Sequence, residues 1–292
     1  MDRPHRPPRH TGVQLGARAV MTQRQQAPVS SDDALFRSLD DGRFVATQWA
    51  RGPWNPAHCH GAPPTALLTR MIESIDDGEW QLARITIELQ RPVPVAEPLT
   101  ASCEIERPGS KISIASSSLN VGGVTVARAR ALRMRVFDGQ SPNVPHQIQP
   151  MPADAASSQE IVPTFITDDI AYASDSCEYR FARGAWGDHG AADVWIRLRL
   201  PLLAGEAVSP AQRVAAAADF GNGVSAGVDH LTWLYINPDL TIHLARRATG
   251  EWIGLSARSE YGDSGAGVAC SHLHDALGPI GVSAQSLLVE PR

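Results

Sequence analysis

The second half of the chain repeats the first. Ile85-Thr86-Ile87-Glu88-Leu89-Gln90-Arg91 overlies Leu240-Thr241-Ile242-His243-Leu244-Ala245-Arg246 at a shift of 155 positions. Carried forward without a gap, the same shift sets Gly123 on Gly278, Ala129 on Ala284 and Leu132 on Leu287. A repeat of this length constrains the architecture before any motif is read: one sheet unit occurs twice, with a pseudo-twofold seam between the copies. A polar residue present in one copy only then becomes a candidate for function.

The 292 residues are enough for two modest cores. Their net charge of −5 gives no electrostatic support to a global nucleic-acid or membrane-surface role. Cys59, Cys103, Cys177 and Cys270 are scattered and lack CxxC spacing, which excludes a zinc ribbon and a disulfide framework. They read as reduced thiols, and the expected location is cytoplasmic. No apolar run approaches the roughly 20 residues that span a bilayer.

Residues 1–31 are expected to form a disordered tail, rich at its start in Arg, Pro and His, with Met21 as an alternative start. The first copy is placed at 32–140, a Pro/Gln/Ala/Ser-rich linker at 141–163 and the second copy at 164–292. In the first copy a hairpin over 36–49 precedes a loop, then an apolar helix over 63–75 with prolines in its first turn. Strands follow near 84–91, 99–107, 110–121 and 124–137. In the second copy a helix over 210–220, capped by Ser209, follows strands near 177–183 and 193–200. Strands near 232–236, 240–246, 251–260, 267–274 and 280–290 complete it. The Ala-rich second helix (Ala215 to Ala218) lets a sheet or another helix come close. The fold class is α+β, two antiparallel sheets each wrapped on a central helix.

Several short motifs carry a resemblance. His60-Gly61-Ala62-Pro63-Pro64-Thr65-Ala66-Leu67-Leu68 resembles the small-residue start of the buried helix in double hotdog proteins of the acyl-CoA thioesterase group. Asp219-Phe220-Gly221-Asn222-Gly223, Ile236-Asn237-Pro238-Asp239-Leu240-Thr241, Gly250-Glu251-Trp252-Ile253 and Ser283-Ala284-Gln285-Ser286-Leu287-Leu288-Val289 are similar to landmarks of the second unit. The resemblance covers roughly residues 33–292, and it implies a tandem (double) hotdog with a site at the seam. There an Asp, a Ser or Thr, and a Gln activate a water against the thioester carbonyl of an acyl-CoA. Residue by residue, the Asp corresponds to Asp239 and the Gln to Gln285. The hydroxyl falls on Ser259, with Ser256 as the alternative, in a segment that departs from the family's Ser/Thr-rich pattern. The resemblance requires no cofactor and no metal, and it leaves room for a homo-oligomer.

The residue types suit the chemistry. A carboxylate can orient a water or take its proton; an amide, a hydroxyl or N–H groups at a helix start can receive developing negative charge. At the 155 shift Asp239 falls on Arg84 and Gln285 on Arg130, so neither is dictated by the shared scaffold. Asp239 also reads as a turn residue after Asn237-Pro238, and Gln285 as an exposed position on a strand. Asp219 is a reserve carboxylate or substrate contact at the end of the second helix. Its alternative is a loop hydrogen bond with Asn222. His60 and Gly61 are candidate substrate contacts, and His58 and His60 lack the third ligand a metal needs.

Two rivals remain. Gly52-Pro53-Trp54-Asn55-Pro56-Ala57-His58 echoes hotdog enoyl-CoA hydratases or dehydratases, but Pro53 stands where their Asp is required. A non-catalytic acyl or acyl-CoA binding protein would need none of these groups to react.

Overall fold

The two segments equated by the repeat lie side by side. The computed structural model describes residues 25–76, 79–137, 144–145, 148–161, 163 and 169–292. Its elements are β1 (Phe36–Ser38), β2 (Phe44–Ala46), α1 (Ala62–Glu73), β3 (Trp80–Leu89), β4 (Pro98–Arg107), β5 (Ile112–Val121) and β6 (Val124–Arg135). After them come β7 (Gln159–Glu160), α2 (Tyr172–Asp175), β8 (Cys177–Arg183), β9 (Ala192–Leu198), α3 (Pro210–Ala218) and α4 (Gly221–Val224). The chain ends with β10 (Trp233–Ile236), β11 (Asp239–Leu244), β12 (Ile253–Tyr261), β13 (Ala266–Asp275) and β14 (Gly278–Pro291).

β3 and β11 pair antiparallel with Thr86 opposite Thr241, and the Thr241 hydroxyl donates to the Thr86 hydroxyl at 3.2 Å. Since the repeat relates these two threonines, a pseudo-twofold axis passes through the pair. The order β4-β5-β6-β3 on one side is answered by β12-β13-β14-β11 on the other. β1 and β2 extend the first flank, β9, β8 and β7 extend the second, and β10 pairs with β14. The result is one continuous 14-stranded sheet rather than the two separate sheets expected. Each half would otherwise end in an exposed edge strand, and joining β3 to β11 removes both edges.

The ungapped shift does not survive beyond this pair. Thr100 opposes Asn120 across β4 and β5, while Gly254 opposes His274 across β12 and β13, which relates these strands by 154 positions. One residue is missing from the second copy between β11 and β12. Gln285 therefore corresponds to Ala131, not Arg130. A one-residue slip exchanges the faces of a strand, and the structure restores the match: Ala131 and Gln285 are 0% and 2% exposed, both turned toward the helices.

Helix α1 lies on β4, β5 and β6, and α3 on β9, β11 and β12. Pro63 and Pro64 occupy the first turn of α1, where a missing N–H costs no helical bond. The buried Ser117 hydroxyl on β5 ties α1 to the sheet through the Leu68 carbonyl at 3.0 Å. Ala215 to Ala218 present almost no side-chain bulk, and α1 is the neighbour that comes close. The two helices run antiparallel, so each ends at the start of the other. At one end the Glu73 carboxylate accepts from Ser209 Oγ at 2.6 Å and Gln212 Nε2 at 3.0 Å, the two residues that form the capping box of α3. Burial raises the Glu73 carboxyl above its ordinary range. At the other end, Gly61 meets Asp219.

The chain is anchored earlier than expected. Gln26 donates to the Ser174 and Cys177 carbonyls, and Ala27 N–H donates to the buried Asp175 carboxylate, so part of the expected tail is held by the second half. Residues 1–24 of that tail, and 141–143, 146–147 and 162 of the expected linker, lie outside the described residues. Residues 151–155 cross the outer face of the second half, where Ala153 and Ala155 carbonyls accept from Trp195 Nε1 and Arg180.

His274 is wholly buried against Gly254 and Trp195, and neither ring nitrogen has a partner among the described residues. Burial, helped by the charge of His272 and opposed by Asp193 and Asp275, pulls its pKa down to about 4. The unfolded chain takes up this proton near the ordinary value of about 6.5, the folded chain only near 4. The contribution to stability is therefore complete above about pH 6.5 and is lost as the pH falls toward 4. Between about pH 7 and 4.5 the native protein should lose roughly 2–3 kcal/mol more than His274→Leu in denaturant titrations. Parallel losses in the two proteins would refute the assignment.

Candidate active site

The open end of the helix pair gathers polar groups from both halves. The first half supplies His60 and Gly61 at the start of α1. The second supplies Asp219, the C-cap of α3, with Asn222 on α4, Asn237 before β11 and Gln285 on β14. The Asp219 side chain is 1% exposed. Its Oδ1 accepts from Asn237 Nδ2 at 2.8 Å, and its Oδ2 lies 3.0 Å from His60 Nδ1. Ala62 N–H also points at His60 Nδ1, 3.1 Å away. The His60 ring packs against the stacked pair Tyr172 and Phe220, with centroids 5.1 and 4.8 Å away.

Glycine is needed where these groups converge. A Cβ on Gly61 would stand 2.8 Å from Asp219 Oδ2, so a side chain there would collide with the carboxylate. A Cβ on Gly221 would stand 2.6 Å from Gln285 Oε1. Gln285 sits behind the carboxylate: its Nε2 donates to the Asp219 carbonyl at 3.1 Å and its Oε1 accepts from Asn222 N–H at 3.0 Å. It thus fixes the backbone on both sides of Phe220.

His60, Gly61 and Asp219 open onto a cavity of about 660 Å³ at the seam. Trp186, Phe220 and Tyr235 give it an aromatic wall, while Arg91, His58 and Arg292 place cationic or titratable groups along it. Arg292 lies over the Trp54 ring at 4.8 Å. Cys59 also lines the cavity, but burial pushes its thiol well up, so it offers no thiolate nucleophile. Among the described residues no group of three or more His, Cys, Asp or Glu could hold a metal ion.

The residues singled out in the sequence separate in space. Gln285, His60, Gly61 and Asp219 come together. Asp239 opens β11 and, since Leu240 beside it is buried against the helices, strand alternation turns Asp239 to the outer face. There its Oδ1 accepts from Ser286 N–H at 2.6 Å, on the other side of the sheet from the Gln285 side chain. Ser259 does share the inner face with Gln285, but Ala269 stands between them in the same cross-strand row. Its hydroxyl bonds Ser225, whose own hydroxyl bonds the Gly221 carbonyl, so it supports α4 from behind. Ser256 faces outward to Met151. Asn237 escaped the sequence reading as a site residue; its only signal was a place in the Asn-Pro turn. Tyr172, from the short α2, left no signal at all.

Residues 50–134 match the family model of the acyl-CoA thioesterase N-terminal domain, and residues 145–289 that of the acyl-CoA thioesterase C-terminal domain. The chain belongs to the acyl-CoA thioesterase family. No curated protein sequence matches it. Among solved structures, a hot-dog-fold protein from Alicyclobacillus acidocaldarius is similar with a TM-score of 0.68 at 15% identity, over 91% of this chain and 99% of that one. An acyl-CoA thioesterase II from Mycobacterium marinum is similar with a TM-score of 0.61 at 17% identity, over 88% and 96% of the two chains. The tesB protein of Mycobacterium avium subs paratuberculosis gives 0.61 at 15% identity, over 85% and 93%. These likenesses establish a hotdog fold for the chain. No helix among the described residues is long and apolar enough to cross a membrane.

The position of Gln285 makes a stability prediction. Gln285→Leu strands the Asn222 N–H and the Asp219 carbonyl in a buried site, each at about 1–3 kcal/mol, so unfolding experiments should show a loss of roughly 2–5 kcal/mol. A loss under about 1 kcal/mol would mean that these two bonds do not hold the turn.

Proposed function

We propose that the protein hydrolyses acyl-CoA thioesters to free acid and coenzyme A, at the seam of two hotdog units in tandem (32–140 and 164–292, joined by 141–163). The observation that carries this reading is the buried Asp219 carboxylate, oriented by groups from both halves at the floor of a cavity with aromatic walls. Thioester hydrolysis requires a water made nucleophilic and a place for negative charge on the carbonyl oxygen. Asp219 supplies the charge on which the proton transfer depends. At the start of α1, Pro63 and Pro64 carry no N–H, and Thr65 N–H donates to the Gly61 carbonyl. That leaves the Gly61 and Ala62 N–H groups as the backbone donors for the oxyanion. Gln285 acts by fixing the Asp219 and Asn222 backbone.

The arginines and histidines along the cavity favour a polyanionic ligand such as coenzyme A, and the aromatic wall favours an apolar acyl group. Pro53 lines the same cavity and has no proton to give or take, which counts against the enoyl-CoA hydratase alternative.

Coenzyme A release measured over acyl-CoAs of graded length tests the reading, and turnover is expected on at least one of them. Asp219→Asn should lower kcat by ~100-fold or more, the scale of a lost general-base contribution. Asp239→Asn, on the outer face, should stay within about threefold of the native rate, far below that scale. The reverse ranking would move the site to Asp239. A native protein that binds acyl-CoAs but turns none over would be a binding protein.

A further inference from the structure

We infer that His60, contributed by the first half, is the general base that touches the water, and that Asp219 is its positioning residue. The inference rests on the thioesterase reading and assigns the proton transfer within that same site.

The geometry separates the two groups. Both Asp219 oxygens are already engaged, Oδ1 by Asn237 and Oδ2 by His60, and the side chain is 1% exposed. His60 is 14% exposed and lines the cavity. Its Nε2 makes no hydrogen bond with any described residue, so its lone pair is the basic site that a water in the cavity can reach. Nδ1 faces two groups, the Ala62 N–H and Asp219 Oδ2. A ring nitrogen carries either a hydrogen or an in-plane lone pair, never both. A lone pair on Nδ1 would stand 3.0 Å from the lone pairs of an ionised carboxylate. A hydrogen there instead makes a charge-assisted bond to it. The carboxylate therefore selects the Nδ1–H tautomer, and the Nδ1 lone pair is no longer open to Ala62. That tautomer leaves Nε2 unprotonated and ready to accept. Tyr172 and Phe220, stacked on each other, both pack against the ring and help fix its orientation before substrate arrives.

The step balances without any further reactant. Water forms its C–O bond to the acyl carbon while one O–H bond breaks and the proton passes to Nε2. The tetrahedral oxyanion collapses, the C–S bond breaks, and the leaving thiolate takes the proton from Nε2. The acid product releases its own proton to solvent, and His60 returns to its starting state. Asp219 keeps its negative charge throughout and stabilises the transient imidazolium.

The titratable groups against the ring are Asp219 at the end of α3, Tyr172 on α2 and the adjacent Cys59. Burial raises the tyrosine and the cysteine far above the range in which an imidazole titrates. His58 and His230 line the same cavity, as do Arg91 and Arg292. The acid limb of the kcat–pH profile is therefore the informative readout. In the full-length protein, His60→Gln should lower kcat by ~100-fold or more and abolish the acid limb. His58→Gln and His230→Gln should retain the limb. His60→Ala should regain rate with added imidazole, in proportion to its neutral form, which a structural role for the ring would not produce. If the native protein turns over an acyl-CoA while His60→Gln keeps the rate within threefold or keeps the acid limb, the assignment to His60 is overturned and the thioesterase reading stands. If the native protein releases no coenzyme A from any acyl-CoA, both fall together.

Discussion

The pairing of β3 with β11 is the contact on which the rest of the molecule depends. It fuses two half-sheets, removes two edges, and sets the axis about which α1 and α3 become neighbours. The Thr86–Thr241 bond marks that axis. Neither hydroxyl is worth much energy alone, but the register it marks fixes every other strand, because a slip of one residue would turn the apolar faces of Ile85, Ile87, Leu240 and Ile242 to water.

The helices are the second consequence of that axis. Their antiparallel packing places a carboxylate at each junction: Glu73 against the start of α3 and Asp219 against the start of α1. The anionic side chain suits a helix N-terminus at both places. The Glu73 end is closed by Ser209 and Gln212 and serves to lock the halves. The Asp219 end is opened by Gly61 and faces a cavity. The same physical arrangement has become a clasp at one end and a candidate site at the other.

Much of this was legible in the chain. The repeat announced the two units and their seam, Pro63 and Pro64 marked the start of α1, and the Ala run of α3 foretold a close neighbour. The resemblance led to the family. The fused sheet was not legible, because hydrophobic alternation describes the faces of a strand and says nothing about which edges meet. The missing residue between β11 and β12 was invisible for a related reason: thin identity lets an ungapped overlay look sound while it exchanges faces. Asp239 looked attractive through its neighbours Asn237 and Pro238, yet the alternation begun at Leu240 sends it outward. Asp219 read as a helix end, and only the fold shows what that end points at. His60 lies far from Asp219 in sequence, and no pattern within one copy could join them.

The two ends of the helix pair also set how many ligands one chain can take. Symmetry alone would allow two mouths, one at each junction, as two identical halves would have. Here the half-buried Glu73 cluster fills one of them with hydrogen bonds that hold the halves together. Among the described residues only one of the two helix junctions therefore opens as a mouth, and opening the other would cut the clasp. Two unlike halves thus keep a joint where two identical halves would repeat the opening.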